Sequence, residues 1–415
     1  MAIVKPFKAI RPIDKYASQI AALPYDVYNR EEAVKVVAEN PLSFLAIDRA
    51  ETAFDMNTDI YADCVYDKAK ELMESRITEG YFMQDDSPCF YIYRLTMNGR
   101  SQTGLVALAS IDDYQNQIIK KHENTRVDKE LDRIRHVDIC NAQSGPIFLA
   151  YRAKEEIREL INRVMTDAPV YDFISDDGIG HQVWIIDKDT DIAQISAAFS
   201  DMKEIYIADG HHRCASAVKV GLKRREANPN YDGTEAFNYF LSVFFPDEEL
   251  MIMDYNRVVD NLGGLDEDGF LNMLSKIFVV TPIGEKAIKP VFKGQITMYL
   301  ANNWYLLEIP DHYYIGDPVK DLDVSILQEH VLGPILHISD PKTDKHIDFV
   351  GGIRGLKELE KRVQNDMKVA FAMYPTDIHE LFAVSDAGLL MPPKSTWFEP
   401  KLRSGLFIHS LKDKK

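Results

Sequence analysis

Five consecutive residues, Asp209-Gly210-His211-His212-Arg213, set one carboxylate, two imidazoles and a guanidinium around a glycine. The apolar run Ile205-Tyr206-Ile207 ahead of them suits a short buried strand. The small residues Ala215, Ser216 and Ala217 behind them open a helix, so the group falls in a strand–turn–helix corner. The first N–H groups of a helix have no partner inside it and carry the positive end of its dipole. Such a corner therefore seats an anion, phosphate above all. In this reading Gly210, His211, His212 and Arg213 hold phosphate oxygens. Asp209 either ligates a Mg²⁺ that bridges those oxygens or takes a proton from an attacking hydroxyl. Adjacent histidines on a helix point about 100° apart, which argues against a zinc site built on that pair. The structural alternative is an N-cap turn with two surface histidines.

A second candidate lies at His122-Glu123, just ahead of a helical stretch. Lys121, His122 and Arg126 surround Glu123 with positive charge, which favours an ionised role, general base or metal ligand, over that of a proton donor. A capping-box carboxylate is the structural alternative. His122, Thr125 and Arg126 join the expected phosphate- and nucleotide-binding set. So does Lys394, from a tail in which Lys394, Ser395, Thr396, Lys401 and Arg403 cluster between prolines and could fold over a ligand. Neither a Gly-x-x-x-x-Gly-Lys-Ser/Thr loop nor a spaced Gly-x-Gly-x-x-Gly is present, so the standard P-loop and Rossmann readings fail.

These residues need elements to hold them. Asn29 is a plausible cap for a helix over Glu31 to Ala38 that stops at Asn40-Pro41, and a longer helix covers Asp59 to Glu79. Asn98-Gly99 between two apolar runs predicts a β-hairpin of Phe90 to Leu95 with Gly104 to Ile111. A helix follows His122-Glu123, ends near Ser144-Gly145-Pro146 and leads into a strand from Ile147 to Tyr151. Helices over Glu155 to Met165 and Ile192 to Phe199 flank a strand from Gln182 to Ile186. Beyond the corner, Ala236 to Phe245 and Met251 to Val259 read as strands. Ile296 to Leu300 and Trp304 to Ile309 form a second hairpin, and Val369 to Met373 a further strand. The expected division is an N-terminal α/β segment over 1–87, a phosphate-binding core over 88–260 and a C-terminal α+β domain over 261–415.

With 415 residues the chain is too long for one core, which points to two or three domains. A net charge of −17 opposes binding to a nucleic-acid backbone. The basic stretches Lys120 to His136 and Met391 to Lys415 suit a small anion such as a nucleotide or phosphorylated metabolite better. No apolar run is long enough to span a bilayer, and the start carries no signal-peptide pattern, so no membrane partner and a cytoplasmic location are expected. The four cysteines, Cys64, Cys89, Cys140 and Cys214, are widely spaced and read as reduced.

His122-Glu123 and Pro146-Ile147, taken with Ile207-Ala208 and the Asp209 to Arg213 turn, resemble the ParB-like fold as used by the free serine kinases. Those enzymes phosphorylate L-serine with ADP or ATP. The resemblance implies an α/β (α+β) fold with a ParB-like core, Glu123 as catalytic base, and the Asp209 to Arg213 turn as phosphate holder. The sequence departs from that pattern where Lys121 replaces a proline and in the longer spacing between the two motifs. Over nearly its whole length the chain also resembles a large prokaryotic family of unknown function, often encoded beside serine-biosynthesis genes. Pro24-Tyr25-Asp26-Val27, His122-Glu123-x-Thr125, Asp132-Arg133, Asp209 to Arg213 and Met391 to Phe398 carry that likeness. The implied function is Mg²⁺-dependent phosphorylation of free L-serine by ADP or ATP, with nucleotide and serine or phosphoserine as partners and a homodimer left open. Its rivals are a phosphoserine phosphatase and a non-catalytic ParB-like nucleotide-binding switch.

Overall fold

In the computed structural model, which describes residues 1–125 and 127–412, the first hairpin forms where Asn98-Gly99 predicts it. Phe90–Met97 pairs antiparallel with Arg100–Ser110, and both turn residues take the positive φ that a two-residue loop demands. The fold is mixed α/β. The chain divides into two units, Met1–Leu250 with Pro400–Lys415, and Met251–Glu399.

The first unit is built on a nine-stranded mixed sheet. From one edge its strands are Ile119–Lys120, Ile205–Asp209, Ile147–Tyr151, Tyr239–Pro246, Arg100–Ser110, Phe90–Met97, Gly180–Ile186 and Tyr171–Ile174. Val4–Lys5 adds to Arg100–Ser110. Ile119–Lys120 runs parallel to Ile205–Asp209, and Ile147–Tyr151 runs parallel to Tyr239–Pro246. Tyr239–Pro246 is buried along its whole length, as expected of a central strand written as a continuous apolar run. Leu105, Leu149, Phe240, Phe244, Ile207 and Cys214 form the heart of the core that the sheet shares with its helices.

Two helices carry the candidate site. Val127–Cys140 and His211–Ala227 are tied side by side by ion pairs from Lys219 to Glu130 and from Lys223 and Arg224 to Asp138, and by Ser216 Oγ donating to the Glu130 carbonyl. The first of these helices therefore fixes the loop that precedes it against the corner of the second. Nearer the N-terminus, Arg30–Glu39 carries a complete capping box, with Asn29 accepting from the Glu32 N–H and Glu32 answering to the Asn29 N–H.

The chain after Glu399 rejoins the first unit. His409–Ser410 pairs with Ala142–Gln143, Ile408 bridges to Ile10, and Ser404 bridges to Ala22. Leu406, Phe407 and Ile408 are fully buried, with Phe407 against the rings of Tyr91 and Tyr93. The expected C-terminal domain over 261–415 thus meets a structural unit that starts at Met251 and ends at Glu399. The apolar run at 406–408 is what draws the tail back, a long-range contact that local pattern does not carry. The second unit is a six-stranded antiparallel sheet in the order Val279–Gly284, Asn303–Glu308, Gln295–Leu300, Val369–Met373, Tyr255–Val259, Ile347–Gly351. The Leu356–Asn365 helix packs on it around Trp304 and Leu359.

Candidate functional site

At the corner, the Ile205–Asp209 strand ends on the acid and Gly210 turns into the His211–Ala227 helix with φ 92°. Glycine is required there twice over. An L side chain would be strained at that φ, and its Cβ would lie 3.0 Å from Arg213 Nη2, because the guanidinium folds back over the turn. Arg213 Nη1 donates to the Pro146 carbonyl at 2.5 Å, so this side chain links the turn to the loop before the Ile147–Tyr151 strand.

The Asp209 carboxylate accepts from the Gly210 N–H at 2.7 Å through Oδ1 and from Lys401 Nζ at 2.9 Å through Oδ2. Burial alone would raise this carboxyl. The charges of Lys401 and Arg213, with those two hydrogen bonds, overcome it and hold the group far below the usual carboxylate range. At Asp209 itself one anion faces two cations, an electrostatic setting that favours a further negative group such as a phosphate.

His122 and His211 meet edge to face, their ring centroids 4.5 Å apart, and both are nearly fully buried. Burial pulls His122 down to about 4 against a backbone hydrogen bond at Ile207, and burial together with the neighbouring His122 pulls His211 well below the ordinary histidine value. Both rings are neutral at pH 7 and act as hydrogen-bonding groups, not cations. Nε2 of His211 is buried with no hydrogen-bond partner among the described residues. A buried ring nitrogen in that state is a standing place for a ligand atom.

The ring contact joins the two halves of the motif. Parallel pairing sets Ile119 opposite Ile205 and Lys120 opposite Tyr206, and equally far beyond Ile119 and Ile205 come Glu123 and Asp209. Glu123 is half-buried in the loop that opens there. Thr125 donates to Glu130 at 2.8 Å and so secures the same loop to the Val127–Cys140 helix. His212 is half-buried on the first turn of the His211–Ala227 helix, its carbonyl accepting from Ser216. Arg126 lies outside the described residues. Lys394 belongs to the second unit, where its ammonium lies over the Tyr255 ring, 5.6 Å from the centroid.

The tail brings a residue that the candidate set did not include. Lys401 reaches Asp209 because Arg403, just beyond it, is anchored in a buried network with His181 at 3.3 Å, Ser175 at 3.1 Å and Asp177. Clustering of basic residues between prolines was the only sequence signal for it. A second group, also outside the candidate set, stands on the other side of Arg213. A cavity of about 40 Å³ there is lined by Tyr25, Asp48, Arg133, Ser144, Arg213 and Ser404, among others. Two of the sequence's own motifs, Pro24-Tyr25 and Asp132-Arg133, thus converge beside a third.

Among the described residues no three His, Cys, Asp or Glu come together as metal ligands. Both Asp209 oxygens are already engaged, so a cation at Asp209 would share the carboxylate with Lys401. Among the described residues no helix is long and apolar enough to cross a membrane.

A family model described as a protein of unknown function (DUF1015) matches residues 4–325. No curated protein matches the chain by sequence. Similar solved structures include SbnI with a C-terminal truncation from Staphylococcus aureus, at 13% identity over 75% of this chain and 90% of that one, with a TM-score of 0.40. A free serine kinase mutant in complex with ADP is similar at 12% identity, 72% and 92% coverage and a TM-score of 0.35. A conserved hypothetical protein from Pyrococcus furiosus is similar at 15% identity, 73% and 94% coverage and a TM-score of 0.35.

Proposed function

The chain belongs to the DUF1015 family, and from that premise and the chemistry of the Asp209 corner we propose that it is a phosphotransferase acting on the hydroxyl of free L-serine, with ADP or ATP as donor. The observation that carries the reading is the buried Nε2 of His211, without a hydrogen-bond partner among the described residues, at a helix start beside an Asp209 carboxylate fixed by Lys401 and the Gly210 N–H. The helix N–H groups, Arg213 and His211 hold the transferred phosphoryl group and the phosphates of the leaving nucleotide. Glu123 takes the hydroxyl proton as the serine oxygen bonds to phosphorus. The bond from phosphorus to the bridging oxygen breaks, and AMP leaves from ADP, or ADP from ATP.

Asp209 is a poor base for this step, since a carboxylate held far below neutrality has little affinity for a proton. Its part is to fix Lys401 and the turn. Mg²⁺ would come in on the nucleotide phosphates and neutralise their charge.

Phosphorus NMR of the protein with Mg²⁺, L-serine and either nucleotide tests the proposal: a phosphoserine resonance appears and grows with time. Release of inorganic phosphate from phosphoserine without nucleotide would instead establish a phosphatase. Nucleotide binding with a change of oligomeric state and no consumption of serine would establish a switch.

A further inference from the structure

The cavity beside Arg213 has walls of both charge signs. Asp48 is 5% exposed, and among the described residues its carboxylate accepts one hydrogen bond, from Ser144 Oγ at 3.3 Å. A buried carboxylate with a single long donor is short of partners. Across the cavity, Arg133 is 7% exposed and held rigid on two sides: its guanidinium lies 4.0 Å from the Tyr25 ring centroid, and Asp132 takes its Nε at 2.9 Å. Asp132 is itself fixed by the Tyr66 hydroxyl at 2.8 Å. The Arg133 Nη1 meets no acceptor among the described residues, although it belongs to a group that binds carboxylates in a forked pair.

We infer that this cavity is the subsite for the head group of a free amino acid, with Asp48 receiving the α-ammonium and Arg133 the α-carboxylate. The inference rests on the phosphotransfer reading for what happens to the bound molecule, though not for the binding itself. Charge pairing narrows the ligand. Asp132 takes the Nε of Arg133 and Asp209 takes Lys401. Asp48 acts on Arg133 through its charge, with no hydrogen bond between the two among the described residues. What is left to bond a ligand around the cavity is therefore the Asp48 carboxylate and the outward edges of the two guanidinium groups. A net-neutral zwitterion satisfies both signs. A dianion would leave Asp48 facing like charge, and a neutral alcohol would leave both signs unanswered.

Size narrows it further. A cavity of about 40 Å³ takes a few heavy atoms, well short of the roughly 300 Å³ and more that nucleotide-sized ligands occupy. Arg213 lines this cavity and also folds over Gly210. A short side chain on a molecule bound here therefore meets the same guanidinium that guards the phosphate corner. The subsite thereby selects an amino acid whose hydroxyl is one carbon from Cα.

The test is calorimetric titration of the full chain with L-serine, ethanolamine, D-glycerate and L-leucine, each with and without a non-hydrolysable ATP analogue. Ethanolamine lacks the carboxylate, D-glycerate lacks the ammonium and has the opposite configuration at Cα, and L-leucine is too large. L-serine should bind at least tenfold more tightly than each of the three. Asp48→Asn keeps an acceptor for Ser144, and it should cost L-serine at least tenfold in affinity while leaving D-glycerate within twofold. In turnover the same variant should raise the serine KM with little change in kcat, a split that a purely structural role for Asp48 does not produce. Equal binding of ethanolamine or D-glycerate, an unchanged Asp48→Asn variant, or no serine binding up to 10 mM in either nucleotide state overturns the subsite. Serine binding with this selectivity but no phosphoserine overturns the phosphotransferase reading alone.

Discussion

Lys401 Nζ lies 2.9 Å from Asp209 Oδ2, so a residue close to the end of the chain completes a corner laid down in its middle. Burial raises the Asp209 carboxyl and Lys401 is the largest influence opposing it. Lys401→Met therefore leaves a half-buried carboxylate with one donor in place of two. Unfolding in urea should show a loss of about 1–3 kcal/mol at pH 7, and kcat/KM should fall about a hundredfold. Because the folded Asp209 sits below its unfolded value, its stabilising effect is present above about pH 4 and disappears as pH falls further. In Lys401→Met the folded carboxyl returns toward its unfolded value, so that acid-side loss should shrink, whereas Lys401→Arg should restore most of both quantities. A methionine variant with wild-type stability and turnover would remove the pair from the site.

The buried histidines make stability depend on pH in the opposite range. Burial lowers His122 and His409 to about 4 and His181 to about 3, and lowers His136 and His211 as well. Between about pH 6.5 and 4 the unfolded chain binds protons that the folded chain refuses, so stability falls as pH falls through that window. Each such group contributes up to about 1.4 kcal/mol per pH unit. The urea midpoint should be level from pH 8 to 7 and drop steeply from 6.5 to 5. A flat profile there would mean that these rings are not held neutral.

Gly210→Ala probes the turn itself. The φ of 92° and the 3.0 Å approach to Arg213 Nη2 together should cost about 1–2 kcal/mol and push the guanidinium off the turn. Nucleotide affinity should fall about tenfold, measured by calorimetry. Gly99→Ala, also at positive φ but with nothing within 4 Å of the added carbon, separates strain from displacement, because it should cost stability and leave affinity alone.

The Asp209 corner was legible because its ingredients are contiguous: an apolar run, a glycine where φ must be positive, then small helical residues. The Asn98-Gly99 hairpin and the Asn29 cap were legible for the same reason. What makes the corner a site was not, since Lys401, Asp48 and Arg133 reach it through tertiary contacts. Leu406-Phe407-Ile408 stands in the sequence as a short apolar run, and nothing local in it says beneath which sheet it lies. The neutral state of His122 and His211 was equally hidden, because a histidine in sequence carries no record of how much solvent it keeps. Arg133 illustrates the gap well: Asp132-Arg133 is visible as a motif, but only the Tyr25 ring and the Tyr66 hydroxyl reveal a guanidinium held in place for something else.

Glu123 lies in the loop four residues beyond Ile119, as Asp209 lies four residues beyond Ile205, the strand partner of Ile119, and the two carboxylates should answer differently to amide replacement. Glu123→Gln keeps the shape of the side chain and its acceptor oxygen but cannot carry away the hydroxyl proton. Single-turnover phosphate transfer should slow by about 10²–10⁴-fold while nucleotide affinity stays within about twofold. Asp209→Asn removes the charge that holds Lys401 and should weaken nucleotide binding, with a smaller effect on the transfer step once nucleotide saturates. The comparison assigns the base without reference to a pH profile, which the histidines would obscure. If Glu123→Gln transfers phosphate at the wild-type rate and Asp209→Asn does not, the proton goes to Asp209 and the roles given to the two carboxylates are exchanged.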